Sequence, residues 1–253
     1  MMLTRSFNLL AIIVFSAVCP QAEADPPEDE SIADKQSCVL LLHGLARSAR
    51  SMKKLAKHLE SEGYQAINLD YPSRAETIQE LARKTISNGL TQCTDGYTVN
   101  FVTHSLGGIL VRQYLSKQQI PSLGRVVMLG PPNKGSQVVD RLKDVSGFGF
   151  VNGLAGGQLG TGEDSIPNQL GAANFEVGII AGTRTINPIL SLMLPNPDDG
   201  KVSVANTKLE GMSDHLTLPV SHPFLMKNKH AIRQVTYFLD HGRFDRDEEK
   251  KNK

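Results

Sequence analysis

Apolar runs and helical periodicities alternate along the middle of the chain. Short, nearly continuous apolar runs are typical of strands buried on both faces, and apolar residues that recur every three or four positions indicate one face of a helix. The predicted strands are 38–42, 64–69, 97–102, 125–129, 176–181 and 216–220. The predicted helices are 52–59, 78–86, 105–117 and a last one carrying Ile232, Val235, Phe238 and Leu239. This alternation predicts an α/β fold with a mostly parallel sheet.

A glycine-rich segment, 146–171, interrupts the alternation. It contains eight glycines, and we expect that many to prevent a stable helix or strand interior. A loop of this length in a compact domain is usually either functional or disordered. The segment is therefore either a lid over a site or a solvated excursion.

Both termini differ from the middle in composition. Residues 1–24 combine Arg5, an apolar run over 9–18 and the triplet Ala22-Glu23-Ala24, the order expected of a secretory signal peptide. A buried N-terminal helix is the alternative. We expect an acidic linker over 25–37, one domain over 38–243 and a charged tail over 244–253. Export would place the protein in the periplasm or outside the cell.

Charge and cysteine content narrow the class of protein. The chain has 27 Lys and Arg against 26 Asp and Glu, and this balance argues against nucleic-acid binding. Cys38 and Cys93 follow the signal segment, and after export they could form a disulfide or remain two buried thiols. His215 and His222 have no Cys or carboxylate at ligand spacing, so we expect no metal.

A sharp turn with an exposed serine is predicted after the third strand. Thr103-His104-Ser105-Leu106-Gly107-Gly108 follows an apolar run and opens a helix, as a nucleophile elbow requires. Small residues are needed two positions before and after the serine; Gly107 meets this, whereas Thr103 replaces the usual glycine. The Leu106 N–H, at the helix N-terminus, can point at a developing oxyanion. Alternatively, Ser105 only caps a helix.

Five motifs in chain order resemble the α/β-hydrolase superfamily, and more narrowly its bacterial lipase- and esterase-like hydrolases. They are His43-Gly44, Thr103 to Gly108, Gly130-Pro131-Pro132-Asn133-Lys134-Gly135-Ser136, Asp199-Gly200 and Ser221-His222. The resemblance covers about 38–243. It implies an α/β-hydrolase fold, with a mostly parallel sheet flanked by helices and segment 146–171 as a lid-like insertion.

The resemblance also implies roles for single residues. The superfamily order of nucleophile, acid and base makes Ser105 the nucleophile, followed by an Asp and then a His. Asp199, directly before a glycine, is the first choice for the acid and Asp198 the second, although Asp-Gly turns are common. His222, at the end of the last strand, is the expected base, ranked above His215. Leu45, after the first strand, supplies the second oxyanion N–H beside Leu106.

The implied activity is hydrolysis of carboxylic esters through an acyl-enzyme. The alternatives are an acyltransferase or thioesterase on the same fold, or a non-catalytic hydrolase-fold protein that binds a lipid or a partner. No cofactor is implied. The expected partner is a small-molecule acyl ester or lipid, with transient contact to membrane lipid, and we infer no obligate protein partner. The fold would also set the strand of Cys38 beside the strand that follows Cys93, which favours a disulfide.

Overall fold

The computed structural model describes residues 35–247, in which one parallel sheet is flanked by helices. The strands are β1 (Ser37–Leu42), β2 (Gln65–Leu69), β3 (Thr98–His104), β4 (Leu123–Leu129), β5 (Val177–Gly182) and β6 (Asp214–Leu218). The helices are α1 (Lys53–Ser61), α2 (Ile78–Leu90), α3 (Leu106–Leu115), α4 (Gln137–Leu142), α5 (Phe148–Gly157), α6 (Ile166–Gln169), α7 (Pro188–Ser191), α8 (Val204–Thr207) and α9 (Lys229–His241). All six strands correspond to runs predicted from the sequence.

The strand order creates a crevice. The six strands lie in the order β2-β1-β3-β4-β5-β6, and every neighbouring pair is parallel. The chain leaves β1 toward one edge and returns to β3 on its other side, so the loops after β1 and β3 depart in opposite directions. Ligands of open α/β sheets bind at such a reversal, outside the carboxyl ends of the strands. Leu42 pairs with Thr103, which brings the segments that begin at His43 and His104 side by side.

The core lies on both faces of the sheet. Alternate residues of β1 point to opposite sides: Leu40 belongs to the core shared with α2 and α3, and Leu41 to the core shared with α1 and α9. Because helices cover both faces, β1 and β5 are buried at every position and read as nearly continuous apolar runs. Within residues 35–247, every helix falls short of the length and apolar character that a bilayer-spanning helix needs.

Cys38 and Cys93 form a disulfide, with Cα atoms 5.7 Å apart. The bond joins the first residues of β1 to the loop before β3, at the end of the sheet opposite the crevice. The pairing implied by the resemblance is confirmed, and the alternative of two free buried thiols is wrong.

The glycine-rich segment does contain helices, so the expectation that it could hold none is wrong. Helix α5 lies within it and changes direction at Gly153, which has φ 64° and ψ −167°. A side chain at Gly153 would collide with the carbonyl group of Arg74. Ala155 and Leu159 are buried against the core. Tertiary packing of this kind stabilises helices more than intrinsic propensity does, and it outweighs the unfavourable glycines here.

The chain stays packed beyond the predicted end of the domain. Phe244, expected to begin the charged tail, is buried with its ring centroid 5.0 Å from that of Phe238. Gln234 exchanges two hydrogen bonds of 2.9 Å with the main chain of Asp245. At the other terminus, Ser37 already belongs to β1. The predicted signal peptide, residues 25–34 of the linker and residues 248–253 of the tail lie outside the described residues.

Candidate active site

Ser105 occupies a strained turn between β3 and α3. Its φ of 52° and ψ of −119° are rare for a residue with a side chain, and such strain concentrates at functional sites. The turn is tight: a Cβ on Gly107 would lie 2.6 Å from the carbonyl oxygen of Leu42. A Cβ on Gly44, after β1, would lie 3.2 Å from the Cβ of Ser105. The turn has the geometry expected of a nucleophile elbow.

Thr103 fits the elbow although a glycine is usual there. Its side chain is fully buried in β3. On α3, a Cβ on Gly108 would lie 3.3 Å from the Thr103 Oγ1. That separation is tighter than an ordinary carbon–oxygen contact, so the glycine leaves the room that the threonine takes up.

Asp199 and His222 form a buried pair. The Asp199 Oδ2 and the His222 Nδ1 are 2.6 Å apart, and both side chains are almost fully shielded from solvent. The other carboxylate oxygen of Asp199 accepts hydrogen bonds from the N–H groups of Lys201 and Val202, at 3.0 and 2.8 Å. These bonds fix the carboxylate in the orientation that holds the imidazole.

Asp198, the second choice for the acid, faces a different set of donors. Its Oδ2 accepts a hydrogen bond of 2.6 Å from the Ser191 hydroxyl, and its Oδ1 accepts one of 2.7 Å from the Gly200 N–H. His215, the lower-ranked base, contacts the Thr207 hydroxyl through Nε2 at 3.0 Å. The structure therefore brings Asp199 to His222 and gives both alternative residues other partners.

Gly130, at the end of β4, lies directly against this pair. A Cβ on Gly130 would lie 3.1 Å from the Asp199 Oδ2 and 3.1 Å from the His222 Nδ1, and its φ is 55°. Only glycine satisfies both the space and the backbone there. The sequence marked Gly130 as the start of a turn, but its contact with the Asp–His pair depends on the fold.

His104, next to Ser105, supports His222 from the other side. A carbonyl can only accept, so the His104 Nε2 donates to the main-chain oxygen of His222, at 3.1 Å. Burial, and then the positive charge that His222 can carry, hold the pKa of His104 well below its ordinary value. His104 is thus neutral and serves to position the segment that carries His222. That segment is a 3₁₀ turn, His222–Lys227, which precedes α9.

His43 shapes the loop after β1. Its ring stacks on Tyr71, with centroids 4.0 Å apart and planes 10° from parallel, and the Tyr71 hydroxyl donates to the His43 carbonyl. Burial lowers the pKa of His43. The imidazole is therefore a packed, neutral part of the loop that leads to Leu45.

Ser105 and His222 open into one cleft of about 620 Å³. Its wall is mainly apolar and includes Leu45, Val138, Val139, Leu142, Val145 and Leu159. No hydrogen bond joins the Ser105 and His222 side chains among the described residues. Catalytic hydrogen bonds are often loose before substrate binds. The N–H groups of Leu45 and Leu106 likewise make no hydrogen bond within residues 35–247, whereas the neighbouring Ala46 N–H donates to the Ser73 hydroxyl.

Arg112, on α3, joins the turn that contains Asn133 to the loop around Pro167, and no sequence motif marks it. Its buried guanidinium donates to the carbonyls of Asn133, Pro167 and Gly171 at 2.9, 3.0 and 2.8 Å. Burial lowers the pKa of Arg112 to about 10. A charged residue inside the apolar run of α3 was the available signal. Separately, no three His, Cys, Asp or Glu side chains in residues 35–247 converge as ligands for a metal ion.

The fold is shared with solved lipases and esterases. The mature lipase BlEst2 of Bacillus licheniformis matches with a TM-score of 0.61 and 21% identity over 86% of this chain and 96% of its own. Phospholipase PlaB of Legionella pneumophila matches with a TM-score of 0.57 and 19% identity, over 74% of this chain and 53% of its own. The metagenomic carboxyl esterase MGS0156 matches with a TM-score of 0.56 and 17% identity, over 74% of this chain and 65% of its own.

By sequence, no family model and no curated protein matches this chain. At sequence identities this low, the comparisons show a shared fold and nothing more. The parallel sheet, the serine elbow after β3 and the likeness to these three structures agree with one another. The chain has the α/β-hydrolase fold.

Proposed function

We propose that this protein is a serine hydrolase that cleaves carboxylic esters through an acyl-enzyme. The observation that carries the proposal is the 2.6 Å contact between Asp199 and His222, in a cleft that Ser105 also enters from a strained turn. A base oriented by a buried carboxylate, in one cleft with a serine, is the arrangement that nucleophilic acyl transfer requires.

Each proposed step uses residues that line the cleft or lie directly behind its wall. The Ser105 Oγ attacks the acyl carbonyl while His222 removes the hydroxyl proton and later transfers it to the leaving alcohol. Asp199 holds the imidazole and stabilises its charged form. The N–H groups of Leu45 and Leu106 donate to the tetrahedral oxyanion. Water, activated by His222, then releases the acid from Ser105.

The proposed substrate has an acyl chain that follows the apolar wall. The glycine-rich segment contributes to that wall, and it also carries Phe150 and Leu154, which are 89% and 59% exposed. Exposed apolar side chains beside a site indicate contact with an apolar partner. We propose that the segment covers the acyl chain and touches membrane lipid during catalysis. We also propose export to the periplasm or the exterior, in line with the disulfide.

Labelling with a fluorophosphonate tests the nucleophile. We expect the wild type to be labelled, Ser105→Ala to remain unlabelled, and Ser116→Ala, at the other end of α3, to be labelled like the wild type. Ser105→Ala should lower kcat by about 10⁶-fold with an unchanged melting temperature. Near-wild-type turnover in Ser105→Ala would refute the proposal.

A panel of p-nitrophenyl esters from acetyl to palmitoyl chains tests the reaction class. We expect release of free acid with or without an added alcohol. Transfer of most acyl groups to the alcohol would identify an acyltransferase instead. A wild type that neither reacts with the probe nor cleaves any ester would favour the non-catalytic binding protein.

A further inference from the structure

Two positive charges line the cleft, and no carboxylate does. Arg47 and Lys201 are exposed to it together with Ser105 and His222, and the residues of the described chain that line the cleft include neither Asp nor Glu. Opposite charges would be expected at comparable frequency on the surface of a chain with 27 basic and 26 acidic residues. The charge of the cleft is therefore a local property of the site.

Neither cation has a direct partner among the described residues. Within residues 35–247, neither the Arg47 guanidinium nor the Lys201 ammonium forms a hydrogen bond or ion pair. Other cations do: Arg125 pairs with Glu176, Lys84 with Glu76 and Arg246 with Asp214. An anion in the cleft would supply the missing partner.

The two cations are also close enough to affect each other. The pKa of Lys201 is lowered, first by the loss of water around its ammonium group and second by the positive charge of Arg47, while the Asp199 carboxylate acts in the opposite direction. Two like charges held in one cleft repel each other, and a bound anion would relieve that repulsion.

Both cations sit on main-chain segments of the proposed catalytic machinery. The Arg47 N–H donates to the carbonyl of Gly44, which closes the turn that carries Leu45. The Lys201 N–H donates to the Asp199 carboxylate, and the Lys201 carbonyl accepts from the Ser136 hydroxyl at 2.7 Å. These main-chain bonds fix the backbone positions of Arg47 and Lys201, which lie on two different loops that border the serine.

We infer that Arg47 and Lys201 recognise an anionic group of the substrate, so that the preferred ester carries a negative charge near the bond that is cleaved. A phosphodiester and a carboxylate share this chemistry, and both pair with guanidinium and ammonium groups. The apolar wall takes the apolar part of the ester, and the cations take the anion. This inference rests on the proposed ester hydrolysis and adds a substrate class to it.

Two pairs of esters test the inference, each pair having the same acyl length. The phosphate arm compares dihexanoyl phosphatidylglycerol with dihexanoylglycerol, and the carboxylate arm compares the p-nitrophenyl monoester of glutaric acid with p-nitrophenyl valerate. The measured quantity is the ratio of kcat/KM for the anionic ester to kcat/KM for its neutral counterpart. We expect a ratio above one in at least one arm, and that arm identifies the source of the anion.

Variants that remove one charge test whether Arg47 and Lys201 are the residues that recognise the anion. Arg47→Gln and Lys201→Gln should each lower the ratio by about tenfold, which corresponds to about 1.4 kcal/mol. Arg50→Gln, an exposed arginine three residues from Arg47 and outside the cleft, should leave the ratio within about twofold. In the wild type, raising the salt concentration from about 0.01 M to about 1 M should lower kcat/KM for the anionic ester only, because salt screens exposed charges.

The outcomes separate the inference from the proposed function. Hydrolysis of neutral esters with a ratio near one, or a ratio that neither variant nor salt changes, overturns the inference and leaves the ester hydrolase intact. A wild type that cleaves no ester overturns both.

Discussion

The imidazole of His104 donates a hydrogen bond to the main-chain oxygen of His222, 3.1 Å away. His104 directly precedes the proposed nucleophile, and His222 is the proposed base. The end of β3 is thereby tied to the loop after β6, across the two strands between them. The neighbour of the serine thus helps to position the base, in addition to the carboxylate of Asp199.

Removal of this bond should lower kcat by more than a loss of folded protein could explain. We expect His104→Phe to lower kcat about tenfold, because the His222 carbonyl loses its donor and the loop can shift; an unsatisfied buried group costs roughly 1–3 kcal/mol. His104→Gln, which keeps a donor, should recover part of the loss. Steady-state kinetics and urea unfolding measure the two effects. Full kcat in the Phe variant would show that the bond has no positioning role.

The two adjacent aspartates should differ sharply in their effect on rate. Asp199→Asn should lower kcat by about 10⁴-fold, since an amide favours the wrong imidazole tautomer. Asp198→Asn should change kcat by less than about tenfold, because Asp198 holds Ser191 and Gly200 instead. Kinetics of both variants on one ester decide the assignment. A reversed ranking would move the proposed acid to Asp198.

Loss of the disulfide should affect stability and spare the chemistry. The bridge links residues 55 positions apart at the end of the sheet opposite Ser105. The double variant Cys38→Ser with Cys93→Ser should lose roughly 2–4 kcal/mol of unfolding free energy and keep its kcat. A thermal melt and ester kinetics measure both, and mass spectrometry of the non-reduced exported protein counts free thiols. Two free thiols there would contradict the bond.

His215 should make the fold sensitive to acid. Burial, together with the positive charge of Lys208, lowers its pKa from 6.5 to about 4. The unfolded chain binds this proton near pH 6.5 and the folded chain only near pH 4. The free energy of unfolding is therefore unaffected by His215 above pH 6.5. It falls by up to roughly 3 kcal/mol as the pH drops toward 4, because the unfolded chain binds the proton first. Urea unfolding of His215→Gln should show a smaller loss between pH 7 and pH 4.5 than the wild type or His58→Gln.

The glycine-rich segment should influence chain-length preference through its exposed face. The double variant Phe150→Ser with Leu154→Ser should lower kcat/KM for palmitoyl esters more than for acetyl esters, because a two-carbon acyl group needs no extended wall. The melting temperature should stay unchanged, since both side chains are exposed. Deletion of the whole segment is a poorer test because Ala155 and Leu159 are in the core. An equal loss of kcat/KM on every ester, with a lowered melting temperature, would argue against the proposal that the segment covers the acyl chain.

Residues with local signals were predictable from the sequence. Strands such as β1 and β5 could be predicted because both their faces are buried, which makes most of their positions apolar. Ser105 could be predicted because its turn needs small neighbours at set positions. The choice of Asp199 over Asp198 drew on the neighbouring glycine, and their different hydrogen-bond partners appear only in three dimensions.

Features that depend on tertiary contact were not predictable. Helix α5 forms despite its glycines because Ala155 contacts the core, and no local pattern reports that contact. Gly130 contacts the Asp–His pair only because β4, β5 and the loop after β6 converge. The bond from His104 to His222 spans 118 positions of sequence.

Arg112 binds both Asn133 and Pro167, which bound the chain segment that contains α4 and α5. The two ends of that segment are thereby tied to α3, the helix that begins directly after Ser105. Loss of the guanidinium would leave the carbonyls of Asn133, Pro167 and Gly171 without this donor at the same time.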